Sequence, residues 1–199
     1  MTKRVFVVHG WDFNPNMNWY PSVKNSLESA GFEVKVLAMP DTSHPTIMEW
    51  VGKLAKEIDE VDEDTFFVGH SIGCLAILKF LESQVVDSEV AGGCVFVAPW
   101  FSLTDAATPD DNYKTIARPW LNLIDSLDFE GINARSLGFT CLFSDDDPYV
   151  PLSNLKLFEE KLGATVILLS GKSHFDEETA GVRELPEVVE KIKELNDSV

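Results

Sequence analysis

Five consecutive residues, Gly69-His70-Ser71-Ile72-Gly73, carry the first chemical signal in the chain. They follow an apolar run ending at Val68 and precede residues 72–81, which are apolar nearly all round until Lys79. A serine between a buried strand and a buried helix sits on a sharp turn that lifts its hydroxyl above the sheet edge. Glycines on either side leave room for that turn and for close approach of the helix. The helix start behind Ser71 favours negative charge at that point. A hydroxyl so placed is a candidate nucleophile for acyl transfer, and it needs a base.

Four histidines are available. His174, in Gly171-Lys172-Ser173-His174-Phe175, follows the last apolar run and is the candidate base. His70 is expected to turn its side chain away from the neighbouring hydroxyl. His9 closes the first apolar run, where a histidine fixes the following loop by hydrogen bonding, and His44 lies in an exposed Ser-His-Pro turn. A third group must orient the base, and for this constellation it belongs between serine and histidine in chain order. Ser144-Asp145-Asp146-Asp147-Pro148 offers three aspartates there. Two backbone N–H groups are needed for the oxyanion. Ile72, directly after the serine, is one candidate, and Trp11, in the loop after the first strand, is the other.

The elements that position these groups are legible as an alternation. Short apolar runs at residues 4–8, 33–37, 65–68, 93–97, 139–143 and 165–169 each end at Gly, Pro, Ser or Asp. Their continuous apolar character predicts strands buried on both faces. Between them lie helical stripes. Ile47, Trp50, Val51, Leu54 and Ile58 form the clearest; Trp19, Val23, Leu27 and Ala30 form an earlier one. Leu152, Leu155, Phe158 and Leu162 form a later stripe, and Leu185, Val188, Val189, Ile192 and Leu195 the last, with Pro186 in its first turn. Six alternations predict an α/β fold, a parallel sheet with helices on both faces, in one domain spanning residues 1–199. Ser71, the aspartates and His174 then sit just past the C-terminal ends of strands three, five and six, where such sheets bind ligands. Residues 99–135 are the least regular part: a polar stretch at 104–111, then a predicted helix over 114–127.

The elbow, the opening Val-Phe-Val-Val-His-Gly and the segment Asp-Asp-Pro-Tyr-Val-Pro together resemble the small serine hydrolases typified by retinoblastoma-binding protein nine. The resemblance spans nearly the whole chain. It implies a compact α/β-hydrolase fold without the first two strands of larger members, with about six mostly or wholly parallel strands in the order 2-1-3-4-5-6. It also implies a Ser-Asp-His triad in which the aspartate before the proline, here Asp147, is the acid, and the histidine before phenylalanine, here His174, is the base. Asp147-Pro148-Tyr149-Val150-Pro151 has the D-x-x-V-P form of such acids, and Pro148 restricts Asp147 to an extended backbone. Asp145 and Asp146 are left to shape the turn. One departure is visible: Ser173 stands where the family often has glycine.

The expectation is therefore a serine hydrolase cleaving a small carboxylic ester, thioester or amide through an acyl-enzyme on Ser71, with carboxylesterase the first choice. No cofactor and no metal are expected. Trp100, Phe101 and Trp120 are candidates for one wall of the site and Trp11 for another, and residues 99–135 are too few for a large lipase lid. The alternative is a catalytically weak hydrolase fold used for binding. A nucleotide or flavin module is disfavoured by the bulky, acidic first loop His9-Gly10-Trp11-Asp12-Phe13. A formal net charge of −17, from 16 basic and 33 acidic residues, disfavours nucleic acid and anionic membranes as partners. Cys74, Cys94 and Cys141 read as buried reduced thiols. With no secretory leader or membrane span in the sequence, a cytoplasmic protein is expected. A Leu-x-Cys-x-Glu pocket-protein motif is absent: Ile72 and Ala76 flank Cys74, Gly92 and Phe96 flank Cys94, and Phe139 and Phe143 flank Cys141.

Overall fold

The structure, a computed structural model, describes residues 2–84 and 90–198. Its strands are β1 (Arg4–Val8), β2 (Glu33–Leu37), β3 (Thr65–His70), β4 (Gly93–Val97), β5 (Phe139–Ser144) and β6 (Thr165–Leu169). They form one sheet in the order β2-β1-β3-β4-β5-β6, every pair parallel, as expected.

Burial corrects one expectation. β3, β4 and β5 are buried at every position, and β1 at all but Arg4. β2 and β6 are not buried on both faces, because each is a sheet edge with a neighbouring strand on one side only. In β2 the polar Glu33 and Lys35 face out, and in β6 Leu168 remains 48% exposed.

Helices α1 (Tyr20–Ser29), α2 (Ile47–Glu57) and α3 (Ile72–Ser83) follow the first three strands. The stripe predicted from Trp19 ends at Leu27, since Ala30 is an exposed C-cap. α3 buries nine of its residues, as its all-round apolar sequence requires. Past β4, a 3₁₀ turn at Asp105–Ala107 leads into α4 (Asp111–Ile124). This helix starts three residues before the predicted 114 because the Asp110 side chain accepts from the N–H groups of Asn112 and Tyr113. α5 (Phe129–Asn133) and α7 (Glu177–Ala180) are short helices without a sequence stripe, while α8 (Pro186–Asp197) matches its stripe and α6 (Ser153–Leu162) matches from Leu155 on, Leu152 being an exposed N-cap. α1 packs on α8, and α2 on α3, which continues to α5 and α6, so the sheet is covered on both sides. A continuous hydrophobic cluster runs from Val5 to Ile192. No helix among the described residues is long and apolar enough to cross a membrane.

Candidate active site

Ser71 stands at the junction of β3 and α3 with φ 52° and ψ −122°, a backbone conformation that L-residues rarely hold. It is fixed from both sides: its N–H donates to Val97 O at 2.9 Å, and its carbonyl accepts from Cys74 N at 3.0 Å. Both flanking glycines are required by space. A Cβ on Gly69 would stand 2.9 Å from the backbone of Cys74, and one on Gly73 would stand 2.5 Å from Val8 O and 2.7 Å from His9 O. Helix α3 therefore approaches β1 and β3 more closely than any side chain allows.

The turn after β6 carries His174 to the same place. Its Nδ1 lies 2.8 Å from Asp147 Oδ2, with both side chains almost fully buried. A carboxylate accepts only, so the ring proton sits on Nδ1 and Nε2 is left as the basic nitrogen. Asp147 is itself held by the N–H groups of Tyr149 and Val150, at 2.8 and 3.1 Å from Oδ1.

Its two neighbours do different work. Asp145 accepts from Ser170 Oγ at 2.7 Å and Gly171 N at 3.0 Å. Asp146 accepts from Ser144 Oγ at 2.6 Å and Ser173 N at 2.8 Å, contacts that hold its carboxyl below the usual carboxylate range. Both therefore shape the histidine turn. In that turn Ser173 has φ 46° and Phe175 φ 57°. The left-handed conformation at Ser173 is the physical reason a glycine suits that position, and the serine adopts it all the same.

The loop after β1 is the third contributor. His9 is fully buried; its Nδ1 donates to Gly10 O at 2.9 Å and its Nε2 accepts from Met39 N at 3.2 Å. It fixes the loop, and burial pushes its imidazole below the usual histidine range. Around Trp11, the N–H groups of Gly10, Asp12 and Phe13 donate to Tyr20 Oη, Thr42 O and Gly10 O. The Trp11 N–H has no partner among the described residues.

Residues 5–194 match the family described as Serine hydrolase. The chain belongs to that family. YdeN of Bacillus subtilis (strain 168) is 28% identical over 191 residues, which cover 94% of this chain and 92% of YdeN. The crystal structure of the ydeN gene product superposes with a TM-score of 0.85 at 26% identity, covering 98% of this chain and 100% of that one. Serine hydrolase RBBP9 of Rattus norvegicus is 26% identical over 159 residues, 79% of this chain and 77% of its own. A monoacylglycerol lipase of Paleococcus ferrophilus shares the fold, with a TM-score of 0.67 at 17% identity over 100% of this chain and 96% of the lipase. The resemblance read from the sequence is thereby borne out, and membership of the serine hydrolases supports hydrolase activity.

Ser71 and His174 line one cavity of about 400 Å³. They make no hydrogen bond to each other among the described residues; Ser71 Oγ instead accepts from Trp100 Nε1 at 3.3 Å. The expected aromatic walls are half right. Trp11 and Trp100 line the cavity. Phe101 does not, being stacked on Phe158 with ring centres 3.9 Å apart, and Trp120 is fully buried with its indole donating to Pro45 O.

Sequence reasoning missed Leu103, Tyr113 and Tyr149 on the wall. Tyr149 sits edge-on to His174 at 5.1 Å, and its place beside Pro148 in the D-x-x-V-P segment was the available signal. It missed an acidic rim as well: Asp12, Asp176 and Glu178 line the cavity, and no Lys or Arg does among the described residues. Burial pushes the Asp12 carboxyl up.

Proposed function

We propose that this serine hydrolase cleaves a small carboxylic ester through an acyl-enzyme on Ser71, with Asp147 and His174 completing the triad. The observation that carries the proposal is the His174–Asp147 pair, 2.8 Å apart, with His174 lining the same cavity as a serine in a strained elbow. His174 Nε2 takes the Ser71 proton as Oγ attacks the carbonyl carbon. The oxyanion is met by the N–H groups of Ile72 and Trp11, the latter supported by its lack of another partner among the described residues. His174 then gives the proton to the leaving alcohol, while Asp147 steadies the imidazolium. Water repeats the sequence on the acyl-enzyme and releases the acid. The nucleophile–base contact forms as substrate enters and displaces the Trp100 contact, since such bonds tighten in the complex.

An ester is the first choice because it is easier to cleave than an amide, and the cavity's modest volume favours a short acyl group. The acidic rim disfavours anionic substrates. The continuous core supports a single domain, and three buried free thiols support a reducing, cytoplasmic setting. Against turnover stands one observation, the engagement of Ser71 Oγ by Trp100, which fits a weak hydrolase used for binding.

Fluorophosphonate labelling alongside a panel of p-nitrophenyl esters separates the two. The proposal expects a single adduct on the Ser71 peptide and faster turnover of short acyl chains than long. Adducts scattered over several serines, or none in folded protein, contradict it.

A further inference from the structure

His70 is fully buried beside Ser71, and the proposed acyl transfer gives it no step. Its Nε2 lies 2.9 Å from the carbonyl oxygen of His174, and its Nδ1 2.6 Å from Tyr20 Oη. A carbonyl oxygen accepts only, so Nε2 carries the ring proton and donates it. Nδ1 then presents a lone pair and accepts the Tyr20 O–H. The Tyr20 oxygen accepts in turn from Gly10 N at 3.3 Å.

One imidazole thus joins the start of α1, the elbow and the histidine turn, its partners Tyr20 and His174 lying 50 and 104 residues from it along the chain. Burial first, and the nearby His174 second, hold the His70 imidazole well below the usual histidine range, so the direction of every bond in the chain is fixed. Burial likewise pushes the Tyr20 phenol up, which keeps its proton in place. The ring has little freedom to turn: Phe13 stacks on it at 5.4 Å, Trp19 lies at 5.7 Å and the His174 ring at 5.2 Å.

The His174 turn needs such a tether. Two left-handed non-glycine residues, Ser173 and Phe175, flank the histidine, and such backbone persists only where its surroundings over-determine it. Asp146 ties the N–H of Ser173 on one side. His70 ties the carbonyl of His174 on the other.

We infer that His70, with its tautomer set by Tyr20, is a positioning residue that aims the His174 ring at Ser71 by holding the His174 carbonyl. The Tyr20 oxygen also fixes Gly10 next to the Trp11 N–H, so the base and the oxyanion loop share one anchor. The inference rests on the reading of His174 as base.

The test compares His70→Gln, His70→Asn and Tyr20→Phe in the full chain, by ester kinetics and by the rate of Ser71 phosphonylation with a fluorophosphonate. Gln places an amide nitrogen near the Nε2 position and retains the donor to His174. Asn reaches only the Nδ1 position and leaves that carbonyl unmet. For His70→Asn, kcat and the phosphonylation rate should both fall by about tenfold to a hundredfold, with KM changed by no more than about twofold. His70→Gln should keep most of both, and Tyr20→Phe should lose about threefold to tenfold. Wild-type rates in His70→Asn, or an equal loss in the Gln and Asn variants, would overturn the inference while leaving the base intact. If His70→Asn does not fold, wild-type kcat in Tyr20→Phe overturns it instead. No phosphonylation of wild-type Ser71 would overturn the base reading and this one together.

Discussion

The turn that carries His174 and the segment at residues 99–135 both reach Ser71, but by different means. Around His174, polar contacts set the geometry: Asp145, Asp146 and Asp147 each accept from the backbone, and Ser144 Oγ accepts from Lys172 N at 2.9 Å. Along residues 99–135, the wall is made by side chains. Trp100, Leu103 and Tyr113 face the cavity with few directed bonds among them, and Tyr113 meets Trp11 at 5.5 Å between ring centres. Hydrogen bonds to the backbone fix atoms to a fraction of an ångström, which proton transfer requires. Apolar contact fixes a volume and tolerates exchange, which suits substrate selection.

If that division holds, substitutions on the two sides should fail differently. The largest effect belongs to Asp147→Asn, which should slow ester turnover by about 10⁴-fold because the imidazole loses its tautomer and countercharge. Asp145→Asn and Asp146→Asn should each cost about tenfold or less, since each keeps one acceptor for the turn. Near-normal turnover in Asp147→Asn, with collapse in either neighbour, would move the acid.

On the wall, Tyr113→Ala should leave kcat for an acetyl ester within about twofold. It should shift the preference between short and long acyl chains by about tenfold, through the added volume. A uniform loss across chain lengths would instead place the wall among the groups that set the chemistry.

A third effect belongs to the buried imidazoles of His9 and His70. His9 and His70 are held neutral in the folded protein, so the unfolded chain binds protons that the native one refuses. Their stabilisation is complete above the unfolded histidine value and is lost as pH falls below it. Each can steepen the loss by up to about 1.4 kcal/mol per unit below roughly pH 6.5. Urea unfolding at pH 7 and pH 5 should show His70→Gln losing less on acidification than wild type. An equal loss would mean that His70 is not kept neutral.

The smallest effect tests the turn itself. Ser173→Gly should change the unfolding free energy by no more than about 1 kcal/mol, relief of left-handed strain offsetting glycine's entropy and the lost Thr179 contact. Turnover should stay within about twofold of wild type. A larger loss in the ester assay would mean that the side chain of Ser173, not its backbone conformation, matters.

The same division explains what the sequence disclosed. The elbow was legible because its constraint is local: the two close approaches demand glycine within two residues of Ser71, so the pattern fits in five letters. The parallel sheet was legible because strands and helices differ in period. Edge positions were not, since Thr165–Leu169 reads like a buried strand and only the sheet order leaves Leu168 exposed. Nor could composition distinguish Trp100, which faces the cavity, from its neighbour Phe101, which faces Phe158. The acid cluster was legible as a place, and the tie between Asp147 and His174 is a property of folded distance. His70's two partners were beyond reach for the same reason, lying far away in the chain and meeting only across the top of the sheet.

Trapping the acyl-enzyme tests the central claim most directly. Wild-type protein mixed with p-nitrophenyl acetate, quenched in acid within the first turnovers and digested for peptide mass spectrometry, should carry one acetyl group on Ser71. The His174→Ala protein should carry almost none under the same conditions. Rapid ester turnover with no acetyl on Ser71, or with equal acetylation in the His174→Ala protein, would contradict the account.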